Sequence, residues 1–169
     1  INVGGKEHIS VHFPVFMMNH AAILPPECFP RGLFVNWWIS GKAGKMSKSK
    51  PDSCVFLHDT PKEIQDKLSK AYCPAKESKG NPVLDHCRLI VFPICGKLEI
   101  VRPEKFGGNA AFNDYDSLEA AFVEGKVHPM DLKKAVAASI SDILAPTRVY
   151  LEKHTENLEV VKRIVEGRK

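Results

Sequence analysis

Lys42, Lys45, Lys48 and Lys50 fall within nine residues of the stretch GKAGKMSKSKPD, beside two glycines, two serines and no acid before Asp52. Ammonium groups are compact charges that suit phosphate oxygens, and serine hydroxyls and loop N–H groups add further donors. On composition alone, a solvated lysine-rich linker explains the segment as simply. A Walker A loop does not fit: Met46 follows Lys45, and the interval from Gly41 to Gly44 is too short for GxxxxGK[ST].

A second set of candidate residues lies downstream. Phe106 precedes a glycine pair in PEKFGG, and the segment HPMD holds His128, Pro129, Met130 and Asp131. By residue type, Phe106 is an ordinary turn or core anchor and His128 an ordinary cap before a proline. Asp131 can simply complement a helix dipole. Lys133 and Lys134 suit a solvated helix face as well as an RNA backbone, and Trp37 and Trp38 read as packing residues. Five cysteines (Cys28, Cys54, Cys73, Cys87, Cys95) form no CxxC pair, which reads as reduced, buried thiols in a cytosolic protein. The seven histidines do not cluster at ligand spacing, so no metal site is expected.

The elements that must position these groups can be read from patterning. HISVHF, from His8 to Phe13, alternates like a short strand ending at Pro14. Residues 21–40 carry three prolines without clean periodicity and read as an irregular packed insertion. Cys54 to Leu57 suits a short buried strand. Thr60-Pro61-Lys62-Glu63 is a capping box, and Ile64, Leu68 and Ala71 give that helix one apolar face. Asn81-Pro82 opens a second helix to about Val91, bounded by Pro93. A strand is expected over Leu98 to Arg102, and a helix from Tyr115 to Glu124 that stops at Gly125. His128-Pro129 begins the longest helix, with Leu132, Val136, Ile140, Ile143 and Leu144 on one stripe and Pro146 expected to bend or interrupt it. Thr155 is expected to cap a last helix carrying Leu158, Val161, Ile164 and Val165, with Gly167 past its end.

At 169 residues, 44% hydrophobic and 26% charged, the chain has the composition of a soluble globular protein able to bury a sizeable core. No apolar run is long enough to span a membrane. INVGGKEHIS lacks the features of a signal peptide and does not start with Met, which suits an internal piece of a longer cytoplasmic protein. The net charge of +4 is unevenly placed. Residues 1–96 hold 12 Lys and Arg against 8 Asp and Glu, whereas residues 97–169 hold 12 against 12. The lysines of the 42–50 segment equal the whole excess, which is compatible with a phosphate-bearing partner there, although a net charge of +4 is by itself a weak signal.

Lys45-Met46-Ser47-Lys48-Ser49 is KMSKS, and in this it resembles the class I aminoacyl-tRNA synthetases. Downstream, KMSKSKPDS, KLSKAYCPA, GNPVL, RPEKFGG, HPMDLKKAV and ILAPTR follow in order from Gly41 to Arg148. These segments are similar to the tyrosyl-tRNA synthetase family of the archaeal and eukaryotic type. The resemblance implies an α/β remnant of a Rossmann-type catalytic domain (last strand and KMSKS loop, residues 1–58). A mostly α-helical anticodon-binding domain follows, at residues 59–169.

It implies roles residue by residue. Lys45 and Lys48 would neutralise charge on the β- and γ-phosphates of ATP as pyrophosphate leaves, with Met46, Ser47 and Ser49 completing the ATP-binding loop. Each preorganised donor of this kind is typically worth ~3–4 kcal/mol. Many relatives carry KMSSS, so Lys48 supplies a second lysine here. Phe106 and His128 would sandwich the first anticodon base, a guanine, while Asp131 accepts hydrogen bonds from it and Pro129 fixes the helix start. Stacking of this sort contributes ~1–3 kcal/mol per base. The implied partners are tRNA(Tyr), tyrosine and ATP with Mg2+, in a homodimer or a tandem pseudo-dimer.

The match is incomplete. His8-Ile9-Ser10-Val11 is not the HIGH motif and aligns better with the strand before the KMSKS loop; the tyrosine pocket is absent as well. The expectation is the C-terminal part of a tyrosine–tRNA ligase, inactive by itself. The alternative is a noncatalytic anticodon-binding half of a duplicated synthetase.

Overall fold

The computed structural model describes residues 55–166, with side chains at 55–159 and 162. The expected strand at His8 to Phe13, the insertion at 21–40, the lysine segment, Trp37, Trp38, Cys28, Cys54 and Gly167 lie outside the described residues. So do the side chains of Val161, Ile164 and Val165.

The chain enters the described region at Val55, which is buried in the core. Val55 to Leu57 form no strand, contrary to expectation. The Asp59 carboxylate takes the Phe56 N–H at 2.7 Å, and the Asp59 N–H returns to the Phe56 carbonyl at 3.1 Å. Both backbone groups of Phe56 are consumed in a local turn and are lost to any ladder. The same carboxylate accepts from Lys67 Nζ at 2.6 Å, a nearly buried ion pair whose ammonium also lies 4.5 Å from the Phe56 ring centroid.

Helix α1 (Pro61–Ser69) starts as expected: Thr60 and Glu63 form the reciprocal capping box, and Ile64, Leu68 and Ala71 are buried. Asn81 caps α2 (Pro82–His86), its Oδ1 accepting the Val83 and Leu84 N–H groups. The expected stop before Pro93 is not found. A π turn over Cys87–Val91 widens the chain, with Phe92 N–H bonding the Cys87 carbonyl, and α3 (Phe92–Cys95) follows. Pro93 therefore sits in the first turn of a restarted ladder, where its missing N–H costs nothing. Gly96, in the left-handed region, ends the run.

Strand β1 (Leu98–Ile100) pairs antiparallel with β2 (Ala110–Phe112), matching Leu98 to Phe112 and Ile100 to Ala110. β1 is shorter than expected, because the Arg102 N–H turns to the Asn109 side chain at 3.0 Å. Helix α4 (Tyr115–Glu124) spans the predicted residues and stops at Gly125 as expected, and Asp114, which the sequence reading did not single out, caps its start by accepting the Ser117 N–H. Helix α5 (Pro129–Lys153) buries Leu132, Val136, Ile140, Ile143 and Leu144, and α1 and β1 pack on it.

Pro146 does not interrupt α5. Nearby, Arg148 Nη2 donates to the Ser141 carbonyl at 2.7 Å and to its hydroxyl at 3.1 Å, five residues ahead of the proline. Helix α6 (Thr155–Glu166) begins one residue earlier than the expected Thr155 cap allows. The His154 carbonyl accepts from Asn157 and Leu158, while the His154 N–H closes α5 on Tyr150, so one residue ends one helix and opens the next. The described residues are thus mostly helical with one small hairpin. Of the cysteines, Cys87 is buried, Cys73 half-buried and Cys95 exposed, so burial does not extend to all of them.

Candidate nucleic-acid interface

The connection between β1 and β2 carries Phe106. Pro103 opens a single 3-10 turn over Glu104–Phe106, closed by Phe106 N–H to the Pro103 carbonyl and Gly107 N–H to the Glu104 carbonyl, both at 2.9 Å. Gly107 (φ +98°) and Gly108 (φ +68°) then reverse the chain in the left-handed region. Phe106 is left 61% exposed, with the Lys105 ammonium 4.9 Å from its ring centroid. A core-anchor role is excluded by that exposure. A ring held in solvent by a tight turn is suited to stacking.

The start of α5 carries the other three residues. His128 is exposed and extended (φ −77°, ψ 140°), and its Nδ1 accepts the Met130 N–H at 3.2 Å. That bond places the neutral ring's proton on Nε2. Pro129 occupies the first helical turn, and the His128 carbonyl accepts from Asp131 and Leu132 at 3.0 and 3.1 Å. Asp131 is half-buried, and among the described residues its carboxylate has no hydrogen-bond or ion-pair partner. A carboxylate there complements the helix dipole, and its oxygens are left without an internal donor among the described residues.

Sequence reasoning missed the residue that joins the two halves. Arg102 Nε donates to the Gly108 carbonyl at 2.7 Å and Arg102 Nη1 to the Lys126 carbonyl at 2.8 Å. Gly108 lies two residues past Phe106, and Lys126 lies two residues before His128. One guanidinium therefore ties the Phe106 turn to the segment that launches α5. In the sequence Arg102 looked like a strand end, because its carbonyl partner stands 24 positions away. Two lysines lie beside this junction: the Lys76 stem lies against Gly125, and the Lys126 charge is balanced by Glu124 at 2.5 Å. Lys133, one of two lysines considered for RNA contact, donates to the Ser69 carbonyl at 2.9 Å and so fastens the end of α1 to α5. Lys134 is exposed.

Lys45, Met46, Ser47, Lys48 and Ser49 lie outside the described residues, and Phe106 is linked to the segment preceding His128, Pro129 and Asp131 through the Arg102 bonds to Gly108 and Lys126. Among the described residues no group of three or more His, Cys, Asp or Glu is placed to hold a metal ion. No helix among them is long and apolar enough to cross a membrane.

The family described as tRNA synthetases class I (W and Y) matches residues 29–145, more than half of the chain. The chain belongs to that family. Within it, the chain is 52% identical over 123 residues to the tyrosine–tRNA ligase of Thermococcus onnurineus, a match covering 71% of this chain and 32% of that protein. Its fold is similar to the tyrosyl-tRNA synthetase of Pyrococcus horikoshii complexed with L-tyrosine, with TM-score 0.69 and 41% identity. That likeness covers 76% of this chain and 39% of the other. The corresponding enzyme of Archaeoglobus fulgidus, also complexed with L-tyrosine, gives 0.61 and 37%, covering 65% and 34%. The chain spans about a third of the length of the curated relatives it matches.

Proposed function

We propose that the chain is the C-terminal part of a tyrosine–tRNA ligase, which activates tyrosine with ATP and transfers it to tRNA(Tyr). The observation that carries this reading is the 52% identity over 123 residues to a tyrosine–tRNA ligase. Within the reading, Lys45 and Lys48 stabilise the departing pyrophosphate, and Met46, Ser47 and Ser49 shape the loop around ATP and its Mg2+. Residues 1–58 end the catalytic domain, and 59–169 form the helical anticodon-binding domain. The intact enzyme is cytoplasmic and works as a homodimer or pseudo-dimer.

The anticodon role rests on chemistry at the α5 start. A guanine presents N–H donors on its Watson–Crick edge, and Asp131 is an acceptor-only group with no internal partner among the described residues. The exposed Phe106 ring and the His128 imidazole supply flat surfaces for the base. Splayed single-stranded bases are recognised by this combination of stacking and edge bonds. The test is tyrosine-dependent ATP–pyrophosphate exchange by the full-length protein. Exchange with tyrosine and not with tryptophan is expected, and no exchange with tyrosine would reject the assignment.

A further inference from the structure

We infer that Arg102 is a positioning residue for anticodon recognition: it sets the Phe106 turn against the His128 helix start and does not itself touch the RNA. The inference rests on the proposed anticodon reading and deepens it. Three of its donors are committed inside the protein. The backbone N–H goes to Asn109 Oδ1, Nε to the Gly108 carbonyl and Nη1 to the Lys126 carbonyl. The remaining nitrogen, Nη2, lies over Gly107, 3.2 Å from where a Cβ would stand.

The geometry explains three sequence features at once. Arg at this position is planar and forked, so it can bond two carbonyls from different segments, which a lysine ammonium on a flexible stem does less well. Gly107 leaves room for the guanidinium to cross the turn as well as adopting φ +98°. The β1–β2 connection is otherwise exposed at Val101 and at residues 103–107, with little burial to hold it. Without the clamp, the Phe106 turn would be anchored through its own short hydrogen bonds and the hairpin base. The spacing between the two sides of a stacked base must hold to a fraction of an ångström, so loosening either side weakens recognition.

A positioning role and an RNA-contact role make different predictions. A phosphate contact would reduce the salt dependence of tRNA binding by about one charge when removed, with discrimination among anticodons kept. A positioning role leaves the salt slope unchanged and erodes discrimination. The experiment uses the full-length enzyme with Arg102→Ala and Arg102→Lys. It measures tRNA aminoacylation with guanine or adenine as the first anticodon base, the salt slope of tRNA binding, and tyrosine-dependent pyrophosphate exchange.

Arg102→Ala is expected to raise KM for tRNA about tenfold and to lower the guanine preference by a similar factor, with exchange and salt slope unchanged. Arg102→Lys should recover less than half of that loss. Unchanged preference, or a salt slope reduced by one charge, would overturn the positioning role. Asp131→Ala, measured in parallel, separates the two levels of the argument. If that variant keeps its guanine preference, the anticodon reading itself fails; if it loses preference while Arg102→Ala does not, only the role of Arg102 fails.

Discussion

At the α5 start, one backbone bond serves both the helix cap and the stacking role proposed for His128. His128 Nδ1 accepts the Met130 N–H, which caps the helix and holds the ring where it can meet a base. This is why the simple cap and the recognition role do not exclude each other: the residue type that caps also stacks. Elsewhere a histidine is purely structural. His86 is fully buried, with its Nδ1 2.5 Å from the Pro82 carbonyl, and burial pushes its pKa down to about 4 from 6.5. Between those values the unfolded chain holds more protons than the native one, so stability rises with pH across that window. The contribution is complete above about 6.5 and is lost as pH falls toward 4, a loss of roughly 3 kcal/mol for a shift of this size. Denaturant midpoints of wild type and His86→Gln across pH 4–7 should therefore converge toward acid; a constant gap would contradict this. None of this was legible in the sequence, where His86 was one of seven histidines without a pattern.

Elements with local causes were readable in advance. The Thr60–Glu63 box, the Asn81-Pro82 start, the Gly125 stop and the apolar stripe of α5 all follow from residues within one or two turns of each other. Thr60→Ala removes both the side-chain acceptor for Glu63 N–H and the hydroxyl paired with its carboxylate. It should cost about 1 kcal/mol, read as a lowered thermal midpoint with little change in tRNA affinity. Gly107→Ala should behave oppositely, because a methyl there strains a φ of +98° and presses on Arg102. A loss of tRNA affinity exceeding the loss of stability is expected, measured by binding and melting on the same variant. What escaped the sequence had non-local or competing causes. β2 needs β1 to exist, the π turn rescues a helix across Pro93, and Phe56 spends its backbone on Asp59 in place of a strand. His154 displaced Thr155 as the cap because α5 and α6 meet without a loop.

Across the molecule, one buried cluster joins Val55 to Ile64, Leu84, Ile100, Phe122 and Leu132, linking the segment before α1 to every later element up to α5. A polypeptide of residues 55–169 should accordingly fold alone and unfold in a single cooperative step, seen as coincident circular-dichroism and fluorescence transitions. Non-coincident transitions would show that this core depends on residues 1–54. Motif order made the family legible, since the lysine segment and the HPMD segment follow one another in a match that spans residues 29–145. The tie between the Phe106 turn and the α5 start was not legible, because Arg102 reaches a carbonyl 24 positions away. The most direct measurement is tRNA charging by the full-length enzyme, wild type and Asp131→Ala, with guanine or another base first in the anticodon. Wild type should prefer guanine and Asp131→Ala should lose ten- to a hundredfold of that preference, about 1–3 kcal/mol, while pyrophosphate exchange stays unchanged. An Asp131→Ala enzyme that charges with full guanine preference would contradict the account.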